Sequence, residues 1–177
     1  MAVGNLEFIK SAETTSSVSE LAVTTCFTSD YDVYKIVCTG ISTATAFGEI
    51  YNIRLLDNTS TQISANYDYA ALEMRASASF IERPATGDTD FRFVTKAYSN
   101  PQEGNFVMYI YNPTDTGSYT FVNWQSAGFS GSANLNGNYK GIGVLKDTQE
   151  VTGLKLIGDA GSNIDKAKIS VYGLASK

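Results

Sequence analysis

Lys168-Ile-Ser-Val-Tyr-Gly-Leu174, near the C-terminal end, decides the fold class. Ala167, Ile169 and Val171 point one way, while Lys166, Lys168 and Ser170 point the other. That period of two is what a half-buried strand requires. Phe27-Thr-Ser-Asp-Tyr-Asp-Val-Tyr-Lys-Ile-Val37 has the same character. Further runs of this kind lie between the two, with no convincing helical stripe. The chain is therefore expected to be a nearly pure β scaffold.

Working outward, Leu6 to Ile9 is a short apolar run followed by a Ser/Thr-rich connector over 11–19. Leu21 to Phe27 and Val33 to Thr39 suggest a first hairpin. Phe47 to Leu56 alternates strongly, with Tyr51, Ile53 and Leu55 opposite Asn52 and Arg54. The stretch Ile63 to Ala71 reads as strand, although Tyr67, Ala71 and Met74 also fit a helical spacing. Arg83 to Asp90 and Ser126 to Asn138 read as loops, the second long, polar and exposed. Phe91 to Tyr98, Phe106 to Tyr111, Tyr119 to Trp124, Tyr139 to Lys146, Val151 to Ile157 and Ile164 to Leu174 supply the remaining strands. Short strands at this spacing, separated by turns, predict a two-sheet antiparallel sandwich, jelly-roll-like, of about eight to ten strands. Its expected core includes Ile36, Ile53, Leu55, Phe91, Phe93, Met108, Ile110, Leu156, Ile169 and Val171.

Composition bounds the function. A chain of 177 residues is expected to form one domain, 1–177, with a core between its sheets; a segment of about 1–19 is expected to reach toward a partner. Charged residues are only 18%, against roughly a quarter in typical domains. Net charge is −5, so the basic footprint of a nucleic-acid binder is missing. Histidine is absent, which removes Ser-His-Asp and Cys-His nucleophile systems, His-based metal sites and the usual general base near neutral pH. Carboxylate and lysine chemistry stay open, but no residue is singled out as catalytic and no cofactor or metal is expected. The opening Met-Ala-Val-Gly-Asn-Leu-Glu-Phe-Ile-Lys has no basic segment ahead of an apolar stretch, and no run reaches membrane-spanning length. A soluble chain made in a reducing host cytoplasm is expected. Cys26 and Cys38 flank a turn but fall on opposite strand faces, so both are expected to be free, buried thiols.

Two constellations stand out. Phe106 to Tyr111 is apolar on both faces: Phe106, Met108 and Ile110 on one, Val107, Tyr109 and Tyr111 on the other. A strand of this kind sits centrally or touches a partner, so Val107, Tyr109 and Tyr111 are the candidate subunit contact. Trp124 between Asn123 and Gln125 could form an aromatic platform with amide groups for a sugar, although a lone Trp in a sandwich is more often core. Asp88 with Asp90, and Asp30 with Asp32, lack the spacing and closing Glu of a Ca²⁺ loop and read as solvated turn residues. The glycines of Gly137-Asn-Tyr-Lys-Gly-Ile-Gly143 enter a strand rather than a helix, so they read as turn and packing glycines, not a phosphate loop.

The order Leu6-Glu-Phe-Ile-Lys, Phe27-Thr-Ser-x-Tyr-x-x-Tyr, Ile53-Arg-Leu-Leu56, Tyr67-Asp-Tyr-Ala70, Ile110-Tyr-Asn-Pro113 and Val171-Tyr-Gly-Leu174 resembles small virion structural proteins of tailed bacteriophages, marine ones in particular. The resemblance implies a jelly-roll-like module displayed on a virus particle, as a head decoration or as a tail or fibre component, with no catalytic residues. It implies coat or tail proteins as partners and a homo-oligomer, a trimer by analogy. Neither nucleic acid nor membrane is an expected partner. A glycan-binding module on a tail or fibre is the second expectation, resting on Trp124 and the 126–138 stretch.

Overall fold

A computed structural model describes residues 6–45, 48–77, 79–129 and 136–174. Twelve strands form two antiparallel sheets. In chain order they are β1 (Leu6–Thr14), β2 (Glu20–Val23), β3 (Val33–Ser42), β4 (Glu49–Asp57), β5 (Tyr67–Arg75) and β6 (Ser79–Asp88). Then come β7 (Phe91–Ala97), β8 (Gly104–Tyr111), β9 (Thr120–Phe129), β10 (Asn136–Leu145), β11 (Val151–Gly158) and β12 (Lys166–Leu174). A single 3₁₀ turn, Asp159–Gly161, is the one helical element among the described residues.

The large sheet runs β1-β12-β3-β8-β9-β10-β5-β6 and the small one β2-β11-β4-β7. Setting aside β1, β12 and the β9–β10 hairpin leaves eight strands: β2 to β8, then β11. Counted in chain order, the small sheet holds the first, eighth, third and sixth of these, and the large sheet the second, seventh, fourth and fifth. That order is the jelly roll, in which every connection but the β5–β6 hairpin crosses from one sheet to the other. The β9–β10 hairpin opens the large sheet between β8 and β5, and β12 with β1 extends it beyond β3. The widening from four strands to eight is the feature that shapes the molecule's outer surface.

The crossings correct the expected first hairpin. β2 pairs with β11 in the small sheet, whereas β3 pairs with β12 and β8 in the large one. Period-two alternation records which face of a strand is buried, not which strand lies beside it. Two expected loops are strands as well. Arg83 to Asp88 lies in β6, its Pro84 tolerated on a sheet-edge strand whose outer side needs no N–H. Within 126–138, residues 126–129 and 136–138 belong to β9 and β10; 130–135 lie outside the described residues. The connector after Ile9 is strand as far as Thr14, so this part of the N-terminal segment is the edge strand of the large sheet.

The core fills the space between the sheets. Ile36, Met108, Ile110, Ile169 and Val171 come from the large sheet, and Ile53, Leu55, Phe91 and Leu156 from the small one, all fully buried. Phe93 is only partly buried, contrary to expectation. The cause is local. The β4–β7 register slips between Tyr51 and Ile53, and Phe93 takes a positive φ of 57°. This bulge turns the ring toward Arg83 and Arg92, whose guanidinium carbons lie 5.1 and 5.6 Å from its centroid. Buried side chains satisfy the freed backbone groups. The Phe93 N–H donates to Asn52 Oδ1 at 3.3 Å, and Trp124 Nε1 donates to the Phe93 carbonyl at 3.1 Å.

Trp124 fills the gap that Gly141 leaves on the neighbouring strand; a Cβ there would overlap the indole ring. Gly143, one step along the same face, leaves room for Phe91, to whose ring a Cβ would come within 2.6 Å. Replacing Gly141 by Ala should therefore cost about 1–3 kcal/mol through overpacking. Replacing Ile53 by Ala should cost about 2–5 kcal/mol through cavity formation. Urea denaturation of the two variants checks both; a neutral Gly141→Ala would mean that Trp124 does not occupy that gap.

Candidate assembly surface

Strand alternation gives the large sheet an inner and an outer face, and the outer face carries the candidate contact. The registers align its side chains into rows across the sheet. One row runs Phe8, Tyr172, Lys35, Tyr109, Asn123, Ile142, Ala70, Pro84. A flanking row runs Leu6, Leu174, Val33, Tyr111, Phe121, Val144, Asp68. Val37, Val107 and Leu72 continue the apolar character on the other flank. The expected residues Val107, Tyr109 and Tyr111 do lie on this outer face, each half-buried by its neighbours.

The surface is corrugated. Tyr109 on β8, Ile142 on β10 and Pro84 on β6 stand as ridges, with the smaller Asn123 on β9 and Ala70 on β5 between them. Groove volumes are about 500 Å³ over Asn123 and 520 Å³ over Ala70, and both are lined by Ile142. Ile142 is 65% exposed, Phe8 61% and Phe121 46%. Of the seven large hydrophobics exposed among the described residues, five (Leu6, Phe8, Phe121, Ile142 and Leu174) sit on β1, β9, β10 and β12. These are the strands added to the eight-strand jelly roll. Exposed apolar residues gathered on one face in this way make that face the candidate contact surface.

The small sheet differs. On its outer side Lys155 lies in register with Ala22 and Arg54, and its Nζ donates to Glu20 Oε2 at 2.6 Å. Arg54 donates to Asp90 Oδ2 and Gln62 Oε1, both at 2.9 Å. Charge and hydrogen bonding cover that side; on the large sheet's outer side ion pairs stand toward the margins, Lys146 with Asp68 at 2.8 Å and Lys168 with Glu13 at 3.5 Å, with Tyr109, Phe121 and Ile142 between them.

The proposed sugar platform divides between the two faces. Asn123 and Gln125 point outward, but Trp124 points inward and is 2% exposed. Its ring is packed against Phe91 and its one donor is committed to Phe93, so it offers no platform for a ligand. Asn123 Nδ2 donates to the Tyr111 hydroxyl at 2.8 Å, tying two outer residues together. Gln125 is exposed between Val107 and Lys140.

The acidic pairs serve the fold. Asp90 is buried rather than solvated, and burial raises its pKa against the pull of Arg54. Asp88 accepts a hydrogen bond from the Tyr69 hydroxyl at 3.0 Å. Thr28 Oγ1 donates to Asp30 Oδ2 at 2.9 Å within its turn. No group of three or more potential metal ligands comes together among the described residues. A buried ionic group closes the β5–β6 end, where Glu73 receives Arg75 at 2.6 Å and Arg83 at 2.9 Å.

The sequence reading missed Ile142, Phe121, Phe8, Leu6 and Leu174 as surface groups. A signal for one was present: Lys140, Ile142 and Val144 alternate with Gly141 and Gly143. Only a strand with glycine facing inward leaves its apolar residues facing out.

No family model and no curated protein matches this chain. Among solved structures, the CBM2 module of the Lactobacillus casei BL23 phage J-1 evolved Dit is 10% identical with a TM-score of 0.30. The comparison covers 89% of this chain and 70% of that one. Infectious bursal disease virus, Gt strain, is 11% identical with a TM-score of 0.12, over 98% of this chain and 37% of that one. At these TM-scores the likeness carries no functional argument, and the reading below rests on the sheet face.

Both cysteines are free and buried. Burial pushes the Cys26 thiol up to about 12 and raises Cys38 as well. Their folded pKa values lie above that of a free thiol, about 8.5. The stability they contribute is therefore intact below about pH 8.5 and is lost as pH rises toward the folded values. Iodoacetamide at about pH 8 should leave the native chain unmodified and label both cysteines after denaturation without reductant. Labelling of neither under those denaturing conditions would show a disulfide.

Proposed function

We propose that this chain is a non-enzymatic structural module of a bacteriophage particle, assembled through the outer face of its large sheet. The single observation that carries the proposal is the apolar corrugation spanning β1 to β6, concentrated on strands that the eight-strand jelly roll does not require. An isolated surface of this kind is an aggregation liability, and burial against a protein neighbour removes it. The resemblance in the sequence supplies the setting, and the absence of histidine fits a scaffold better than acid–base chemistry. Head-surface decoration, bound beside the coat, suits a jelly-roll module of this kind. The glycan-binding alternative loses its main support with the burial of Trp124.

Tyr109→Asp should abolish incorporation into particles while leaving the purified chain folded by circular dichroism, because the substituted side chain lies outside the core. Ile142→Asp is the control for folding, since its side chain is largely in water. Normal incorporation of both folded variants would remove this face as the assembly surface. Labelling exposed lysines on intact particles and imaging the label should place it on the head; label confined to the tail would overturn the decoration reading.

A further inference from the structure

The geometry points to a second copy of this chain as the occupant of the corrugated face, related by a two-fold axis that runs parallel to the strands between β9 and β10. This rests on the reading of that face as an assembly surface, and it replaces the trimer expected by analogy. A sheet face that binds the same face of a second copy does so isologously, which closes at two copies.

Three features carry the inference. The first is shape. The axis bisects the six-strand stretch β3-β8-β9-β10-β5-β6 and superposes β10 of one copy on β9 of the other, and β8 on β5. The Ile142 ridge then lies over the Asn123 groove of the second copy, and Tyr109 over the Ala70 groove. Within this row the placement sets Ile142 and Tyr109 into grooves while Pro84 falls opposite Lys35; in the flanking rows Phe121 meets Val144 and Val107 meets Leu72 face to face.

The second is extent. With strands about 4.8 Å apart and a rise of about 3.3 Å per residue, the six strands present roughly 700–800 Å². Stable interfaces bury about 800 Å² per partner.

The third is charge. Lys35 on β3 and Glu82 on β6 lie at opposite ends of the stretch, and neither has an ion-pair partner among the described residues. The same axis brings β6 of the second copy over β3, with Glu82 one row from Lys35. Two rim pairs form at once; between them lie Tyr109, Ile142, Phe121 and Val144, with Lys140 in register opposite Gln125 of the second copy. A coat subunit would have to reproduce this spacing and both signs independently; a second copy has them by identity.

The test is the mass of the purified full chain by light scattering and sedimentation equilibrium. A dimer is expected at micromolar concentration. Ile142→Asp should weaken it by about a hundredfold or more, since two carboxylates would be buried without partners. Glu82→Lys and Lys35→Glu should each weaken it roughly three- to tenfold at low salt, and the double exchange should restore it. A monomer at high micromolar concentration, or a trimer, overturns the pairing. So does a dimer unaffected by Ile142→Asp. Failure of the double exchange to rescue overturns the axis. If the chain is monomeric but Tyr109→Asp still blocks incorporation, the face binds another virion protein and only the occupant is wrong. If the dimer forms as described while incorporation is indifferent to Tyr109→Asp, the dimer stands and the assembly function falls.

Discussion

The packing of Trp124 into the space left by Gly141, with its indole N–H on the Phe93 carbonyl, is the contact on which the rest of the structure depends. A jelly roll places β8 beside β5; this chain separates them with an additional hairpin. Such a hairpin has no partner of its own in the opposite sheet unless its inward residues reach across. Trp124 and Val122 do so from β9, while glycines on β10 give way to Trp124 and Phe91. The same hydrogen bond satisfies a carbonyl that the Phe93 bulge removes from the ladder. Packing, hairpin insertion and backbone irregularity are thus one arrangement.

The insertion changes the exterior. A four-stranded sheet presents little area, whereas eight strands make a broader face. Burial of the inner side dictates one half of each strand's alternation; the outer half is free to be polar, and on the small sheet it is. On the large sheet Tyr, Val, Ile, Phe and Leu stand among Lys35, Asn123, Gln125 and Lys140. Folding does not require that choice, because these side chains contribute little to the core, and they leave apolar area in water. The proposed assembly role would account for it.

The polar groups follow the opposite logic. Glu73 between Arg75 and Arg83, and Asp90 with Arg54, are charges taken from water at the margins of the sandwich, each matched by an opposite charge. Lys96 is half-buried near the first of these groups, and desolvation lowers its pKa. Breaking one of these pairs would strand a buried charge, which costs more than the pair contributes in place. They specify where the sheets end, and together with Asp88 on Tyr69 they use the acidic residues that a sequence reading could otherwise assign to ligand binding.

The sequence by itself determined the class of the fold, the antiparallel sandwich and most of its core, because period-two alternation is a local consequence of burying one face of a strand. It also determined that Val107, Tyr109 and Tyr111 face away from Met108 and Ile110, since neighbours on a strand must point oppositely. It did not show that β2 and β3 lie in different sheets, that 83–88 is strand, or that Trp124 faces inward. Pairing is a matter of contacts distant in sequence, and alternation is blind to it. Only the tertiary structure decided that the three residues stand within an eight-strand apolar face rather than on a single ridge. That face is assembled from β1, β12, β9 and β10, whose outward residues become neighbours only when hydrogen-bond register sets them side by side.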